Sequence, residues 1–226
     1  MKNYFFDLFF PKSCLGCNGL MLANEIVLCT ACRHEIPLTS HFFSKENEFT
    51  KKFYGRIELE FGGSLLYFHK QGIVQQLIHN LKYRRHQEVG YFLGEWIINE
   101  MFHHNFPKVD VVVPVPLHPK KLKLRGYNQV ETFGRTIAQN LSCDYNDTVL
   151  HRNFNTKTQT FKGLFARTEI RRDLFGVDEF ENFSGKHFLL VDDVITTGAT
   201  IEACAKELQK IPDVKLSVIT MAFAQF

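Results

Sequence analysis

Apolar positions recur at two periods along this chain. Ile73, Val74, Leu77, Ile78 and Leu81 fall three or four residues apart, as do Val89, Phe92, Leu93, Trp96, Ile97 and Met101. That spacing puts each set on one face of a helix. Val130, Phe133, Ile137 and Leu141 mark a third helix; Ile201, Cys204, Leu208 and Ile211 mark a fourth, which Pro212 stops. Between them lie short apolar runs at residues 65–68, 109–113, 188–191 and 214–222, the second closed by Pro114. Runs of this kind read as strands of a buried sheet. Strands alternating with helices predict an α/β domain, a parallel sheet with helices on its faces, over residues 61–226.

The first 60 residues follow other rules. Residues 41–60 are polar and mixed and read as a linker. Residues 1–40 hold four of the six cysteines, as Cys14-Leu-Gly-Cys17 and Cys29-Thr-Ala-Cys32, eleven residues apart. Tetrahedral zinc takes four soft ligands, and each C-x-x-C turn supplies two thiolates. Gly16 lets the first turn close with its amides toward sulfur. So short a segment has no core of its own, so the metal would supply its folding energy. Two disulfides or a redox C-x-x-C are the rival readings; a missing secretory signal disfavours the first and the doubled motif the second. Cys143 stands alone, and Cys204 falls on an apolar helix face as core.

Composition constrains the partners. The 226 residues are 45% hydrophobic and 23% charged with net charge +3, so a basic site must come from local clustering. Phe5, Phe6, Phe9 and Phe10 crowd the start, but Asp7 breaks the run. No stretch approaches the roughly 18 apolar residues of a membrane span. The expectation is a cytoplasmic protein whose aromatic start packs on the small module, with a peripheral contact at the inner membrane face as the lesser reading.

The chemistry centres on HFLLVDDVITTGAT, residues 187–200. Asp192 and Asp193 end a strand, and Thr196, Thr197, Gly198, Ala199 and Thr200 form a loop running into a helix. Helix N-termini attract phosphate, Gly198 lets the backbone approach, and the threonines add donors. The acids would repel a phosphate but accept sugar hydroxyls or hold a divalent cation. A ribose 5-phosphate meets both demands. Walker A, G-x-G-x-x-G and Ca²⁺-loop patterns are all missing here. VDDVITTGAT resembles the phosphoribosyl pyrophosphate (PRPP) motif of type I phosphoribosyltransferases. That resemblance implies Asp192 and Asp193 near the ribose hydroxyls and Mg²⁺, and residues 196–200 around the 5-phosphate. Thr196 stands where the purine-salvage branch carries an aspartate, closer to the orotate branch.

Cations cluster nearby in sequence. PVPLHPKKLKLRGYNQ leaves the 109–113 strand and brings Lys120, Lys121, Lys123 and Arg125 within six residues. Lys82-Tyr83-Arg84-Arg85-His86 and residues 167–172 add more, with Tyr83, Tyr127 and Phe161 available for stacking. Such a set suits pyrophosphate or a single-stranded nucleic-acid backbone. The ordered set of an aromatic-Pro-Lys-Ser-Cys start, four cysteines, LIHNLKY, PVPLHPKKLKLRGYNQ, TKTQT and VDDVITTGAT resembles the ComF family of competence-associated phosphoribosyltransferase-like proteins. The resemblance implies a cytoplasmic role in natural transformation, on incoming single-stranded DNA beside a helicase and a recombination loader. It keeps Thr158, Gln159 and Arg167 and departs at Ile170 and Asp173. Two functions stay open: a ligand-binding competence protein, or an active PRPP- and Mg²⁺-dependent transferase.

Overall fold

The structure is a computed structural model that describes residues 11–104, 106–153, 174–178 and 180–225. The expectations for Phe5, Phe6, Phe9, Phe10, Thr158, Gln159, Phe161, residues 167–172, Ile170 and Asp173 fall outside the described residues.

Five parallel strands form the main sheet: β1 (Phe61–Phe68), β2 (Val111–Pro114), β3 (Asp144–Tyr145), β6 (His187–Ile195) and β7 (Lys215–Ala224), in the order β1-β7-β6-β2-β3. A two-stranded antiparallel pair, β4 (Leu150–Arg152) and β5 (Phe175–Val177), stands beside it. The helices are α1 (Thr30–Glu35), α2 (Glu48–Lys51), α3 (Ile73–Tyr83), α4 (Glu88–His103), α5 (Pro119–Arg125), α6 (Glu131–Leu141) and α7 (Ala199–Leu208). None of the described helices is long and apolar enough to cross a membrane.

Strand alternation makes two cores. Leu189 and Val191 of β6 join apolar residues of α3, α4 and α6, while Phe188 and Leu190 join those of α7, β4 and β5. Cys204 is fully buried in the second core. Gly90 and Gly94 let α4 lie close on α6; a Cβ on Gly94 would stand 2.8 Å from Thr136 Cβ.

Two expectations change, and a third segment gains its form. The 41–60 stretch, expected to be a polar linker, carries a 3-10 turn and α2, capped by Asn47, whose side chain accepts from the amides of Phe49 and Thr50. Its Phe49 and Phe53 are 0% and 1% exposed. Strand β1 starts four residues before its apolar run because Gly62 and Gly63 leave space for that stretch. A Cβ on Gly62 would stand 2.7 Å from the Phe49 ring. The basic run after β2 is helical, with His118 as N-cap through Nδ1, Pro119 in the first turn and Gly126 left-handed at its end.

The cysteine module is seated on α3. Asn80, 1% exposed, donates to Leu15 O at 2.9 Å, and Cys14, Leu15, Leu28 and Cys32 belong to the first core. The module borrows the core that its own length cannot provide.

Candidate ligand cleft and metal centre

The sheet order determines where a ligand can sit. From β2 the chain moves outward to β3; from β6 it moves the other way, to β7. This is a topological switch point, and the crevice opens at the carboxyl ends of the two strands. Pairing of β6 with β2 stops at Val191 opposite Pro114, whereas β6 stays paired with β7 through Ile195. Asp192 and Asp193 therefore lie inside β6, not beyond its end, on the stretch where β2 has turned away.

A cleft of about 220 Å³ opens there. It brings Lys82, Lys121, Arg125, Asp192, Asp193 and Thr200 to one wall system, with His118, Gln129 and Arg152 added. Asp193 is 5% exposed and gripped at both oxygens: Lys82 Nζ donates to Oδ1 at 2.8 Å, and Gln129 Nε2 to Oδ2 at 2.6 Å. Gln129 Oε1 in turn accepts from Arg125, whose guanidinium lies 5.1 Å from the Tyr83 ring centroid. Asp192 Oδ1 accepts the Asp193 amide at 2.8 Å. Burial, reinforced by the Asp193 charge, pushes the Asp192 carboxyl up to about 8, against the opposing pull of that amide, Lys82 and Lys121.

The loop residues divide. Thr200, in the first turn of α7, reaches the cleft. Thr196 and Thr197 are exposed at the turn, and neither they nor Ala199 line the cleft. Gly198 caps α7 at φ +81°, and a Cβ there would stand 2.9 Å from Phe53 Cε1. The left-handed turn and the ring behind it both demand glycine. Lys120 and Lys123 point away, exposed on α5 and absent from the cleft lining. Tyr83 is 61% exposed, while Tyr127 is half-buried and donates its hydroxyl to Leu81 O.

Gln129 and Arg152 are the residues that sequence reasoning missed. Gln129 lies in the quoted GYNQ and is 7% exposed, but nothing local says that it faces an acid 64 positions away. Arg152 follows one apolar residue of β4 and stacks 5.3 Å from the Phe175 ring centroid. Only the β4–β5 pairing brings it to the cleft.

The four thiols of Cys14, Cys17, Cys29 and Cys32 converge, their Sγ atoms all within 4.8 Å of one another. Cys17 and Cys29 are 3.8 Å apart, and a tetrahedron with bonds of about 2.3 Å has edges of about 3.8 Å. Amides of Gly16 and Cys29 point at Cys14 Sγ (3.3 and 3.2 Å), and that of Gly19 at Cys17 Sγ (3.4 Å). Burial raises the Cys14 thiol, yet amides of Cys29, Cys17 and Gly16 outweigh it and bring it down to about 7. The donor set and its spacing fit a structural metal. Gly16 also matters for space: a Cβ would stand 2.9 Å from both Ile73 Cγ2 and Leu28 Cδ2.

Residues 131–224 match the phosphoribosyl transferase domain family. DNA utilization protein YhgH of Escherichia coli O157:H7 is 32% identical over 58% of this chain, and the match spans 59% of that relative's length. The solved adenine phosphoribosyltransferase of Thermoanaerobacter pseudethanolicus is 13% identical over 76% of this chain and 98% of its own, at a TM-score of 0.40. Competence protein F of Haemophilus influenzae Rd is 25% identical over 96% of this chain and 99% of its own. These matches support a ComF-type family. The region that matches the phosphoribosyl transferase domain contains Asp192, Asp193, Arg152 and Thr200. Lys82, Lys121, Arg125 and Gln129 come from the part before it.

Proposed function

We propose that this protein binds PRPP with Mg²⁺ in the switch-point cleft and serves natural transformation by handling single-stranded DNA. The observation that carries the reading is the gripped acid pair. Lys82 and Gln129 hold Asp193, which fixes the peptide that presents Asp192. The Asp192 oxygen not engaged by the Asp193 amide is then available to ribose hydroxyls. Thr200 and the first-turn amides of α7 take the 5-phosphate. Lys121, Arg125 and Arg152 suit the pyrophosphate, whose charge Mg²⁺ would share. Zinc at the four cysteines is the structural metal of the same reading, about one per chain by metal analysis.

The DNA role draws on the names of the relatives, a competence protein and a DNA utilization protein. It draws also on Tyr83, Lys120 and Lys123, exposed outside the cleft, an aromatic ring and two cations of the kinds that bind a single strand. Active transfer is the second reading, favoured by Lys121, Arg125 and Arg152, cations that line the cleft and would stabilise charge developing on a leaving pyrophosphate. Pyrophosphate release over a panel of bases distinguishes it from binding alone.

Calorimetry with PRPP and Mg²⁺ tests the site. Asp192→Asn with Asp193→Asn abolishes binding; unchanged affinity in that variant sinks the assignment. Lys120→Glu with Lys123→Glu weakens salt-dependent single-strand binding and spares PRPP, because neither lysine lines the cleft. Loss of both together would place the DNA path inside the cleft.

A further inference from the structure

Helix α4 carries aromatic rings outside its buried face, set among polar side chains. Val89, Leu93, Ile97 and Met101 are buried in the core. A second stripe, at every third or fourth position from Glu88 to His103, lies along the opposite side and carries Tyr91, Phe92 and Trp96. Aromatic rings set among charged side chains make a mixed surface, apolar at its floor and acidic at its rim. The cysteine module covers part of the second side: Arg33 lies 5.8 Å from the Phe92 ring centroid and 5.5 Å from that of Trp96. What remains is a groove of about 550 Å³ between the module and α4. Ile26 and Tyr91 line it and are 71% and 54% exposed. It shares no lining residue with the ligand cleft.

The groove's charge is opposite to that of the chain. Four carboxylates, from Glu25, Glu88, Glu95 and Glu100, rim it against the single guanidinium of Arg33, on a protein of net charge +3. Three of the acids are held in place, Glu88 by His86 Nδ1 at 2.6 Å. Glu25 accepts the amides of Leu22 and Thr30, each at 2.6 Å, and Glu95 accepts Asn140 Nδ2 at 2.9 Å. Phosphates of nucleic acid or of an anionic lipid surface are repelled by such a rim. Aromatic rings with carboxylates beside them attract a segment that brings aliphatic and cationic side chains together.

We propose that this groove docks a basic amphipathic helix of a partner protein, its aliphatic face on Tyr91, Phe92 and Trp96 and its lysines or arginines on the acidic rim. Helix α4, with 16 residues, is about 24 Å long, which matches a partner helix of roughly 12–16 residues.

Trp96 is the chain's one tryptophan, so its emission reports on the groove without a label. The test titrates the full-length protein with a synthetic amidated peptide of about 14 residues, leucine and lysine at helical spacing. The expected result is a saturable blue shift that weakens roughly tenfold between low and physiological salt. The same peptide with glutamate for lysine gives none. Glu88→Lys with Glu95→Lys lowers the affinity about tenfold or more. Tyr91→Ala, at an exposed ring, also lowers it and keeps the test open if the charge reversal impairs folding. Equal binding of the acidic peptide, or undiminished affinity in both variants, overturns the proposal. A blue shift that grows with protein concentration alone, with a dimer in sedimentation, also overturns it and assigns the groove to a second copy.

Discussion

Asp193→Asn keeps the side chain's shape and removes its charge, so it isolates the grip at the centre of the cleft. Lys82 Nζ at 2.8 Å keeps an acceptor, but a charge-assisted hydrogen bond becomes a neutral one, about half as strong. Gln129 is affected more. Its Nε2 donor now faces the asparagine amide, and turning the Gln129 amide over breaks its bond from Arg125. The Lys82 and Asp193 side chains are 21% and 7% exposed, so water only partly compensates. The expected loss is about 2 kcal/mol, below the range for a fully buried pair. For a chain of this size that corresponds to a Tm lower by roughly 4–8 °C. A double-mutant cycle with Lys82→Met, followed by thermal unfolding, should show a coupling of about 1–2 kcal/mol. The loss also depends on pH. At pH 6 the Asp192 carboxyl is protonated and does not oppose Asp193. As pH rises through about 8 it ionises against burial and the Asp193 charge. That repulsion disfavours the native fold, and Asp193→Asn relieves it, so the loss shrinks by pH 9. A coupling near zero, or a loss that grows between pH 6 and pH 9, would refute the reasoning.

Two further outcomes test packing away from the acid pair. Burial of His41, 2% exposed with Nδ1 accepting the Ser64 amide and Nε2 unpartnered, pushes its pKa down to about 4. The unfolded imidazole titrates near 6.5, so its share of stability is complete above that pH. It is lost as pH falls toward 4, by up to about 3 kcal/mol. Denaturant midpoints at pH 7 and 4.5 should show a smaller drop in His41→Gln than in the wild type; equal drops would discard this assignment. Gly198→Ala meets both a φ of +81° and the Phe53 ring and should cost about 2–4 kcal/mol. Adding Phe53→Leu should recover part of it, and strictly additive losses would rule out the clash.

The sequence carried the sheet well. Continuous apolar runs identified β2, β6 and β7, and three-four spacing identified α3, α4, α6 and α7, because burial on a face imposes a period. The acid pair, Thr200 and the four cysteines were legible for a similar reason. Their geometry is local, set within a few residues of one turn or strand. Where the signal failed, burial was shared between distant pieces. Phe49 and Phe53 sit among charges in a stretch that looks like a linker, and their partners are Gly62 and Gly198. Neither half of such a contact shows an apolar period. The basic run misled in another way: four cations in six residues looked like one site, but the turn of α5 brings Lys121 and Arg125 to the cleft lining and leaves Lys120 and Lys123 out of it.

By itself, then, the sequence determined the kinds of element and the local motifs, the acid pair with its loop and the two C-x-x-C turns, since each rests on residues close together along the chain; the family resemblance came from the order of such motifs. Tertiary structure decided which side chains act together. Lys82, Gln129 and Asp193 are separated by 47 and 64 positions, yet meet within 3 Å because β2 and β6 pair in parallel and then part. Contacts of that range are set by strand register and sheet order, and no local pattern records either.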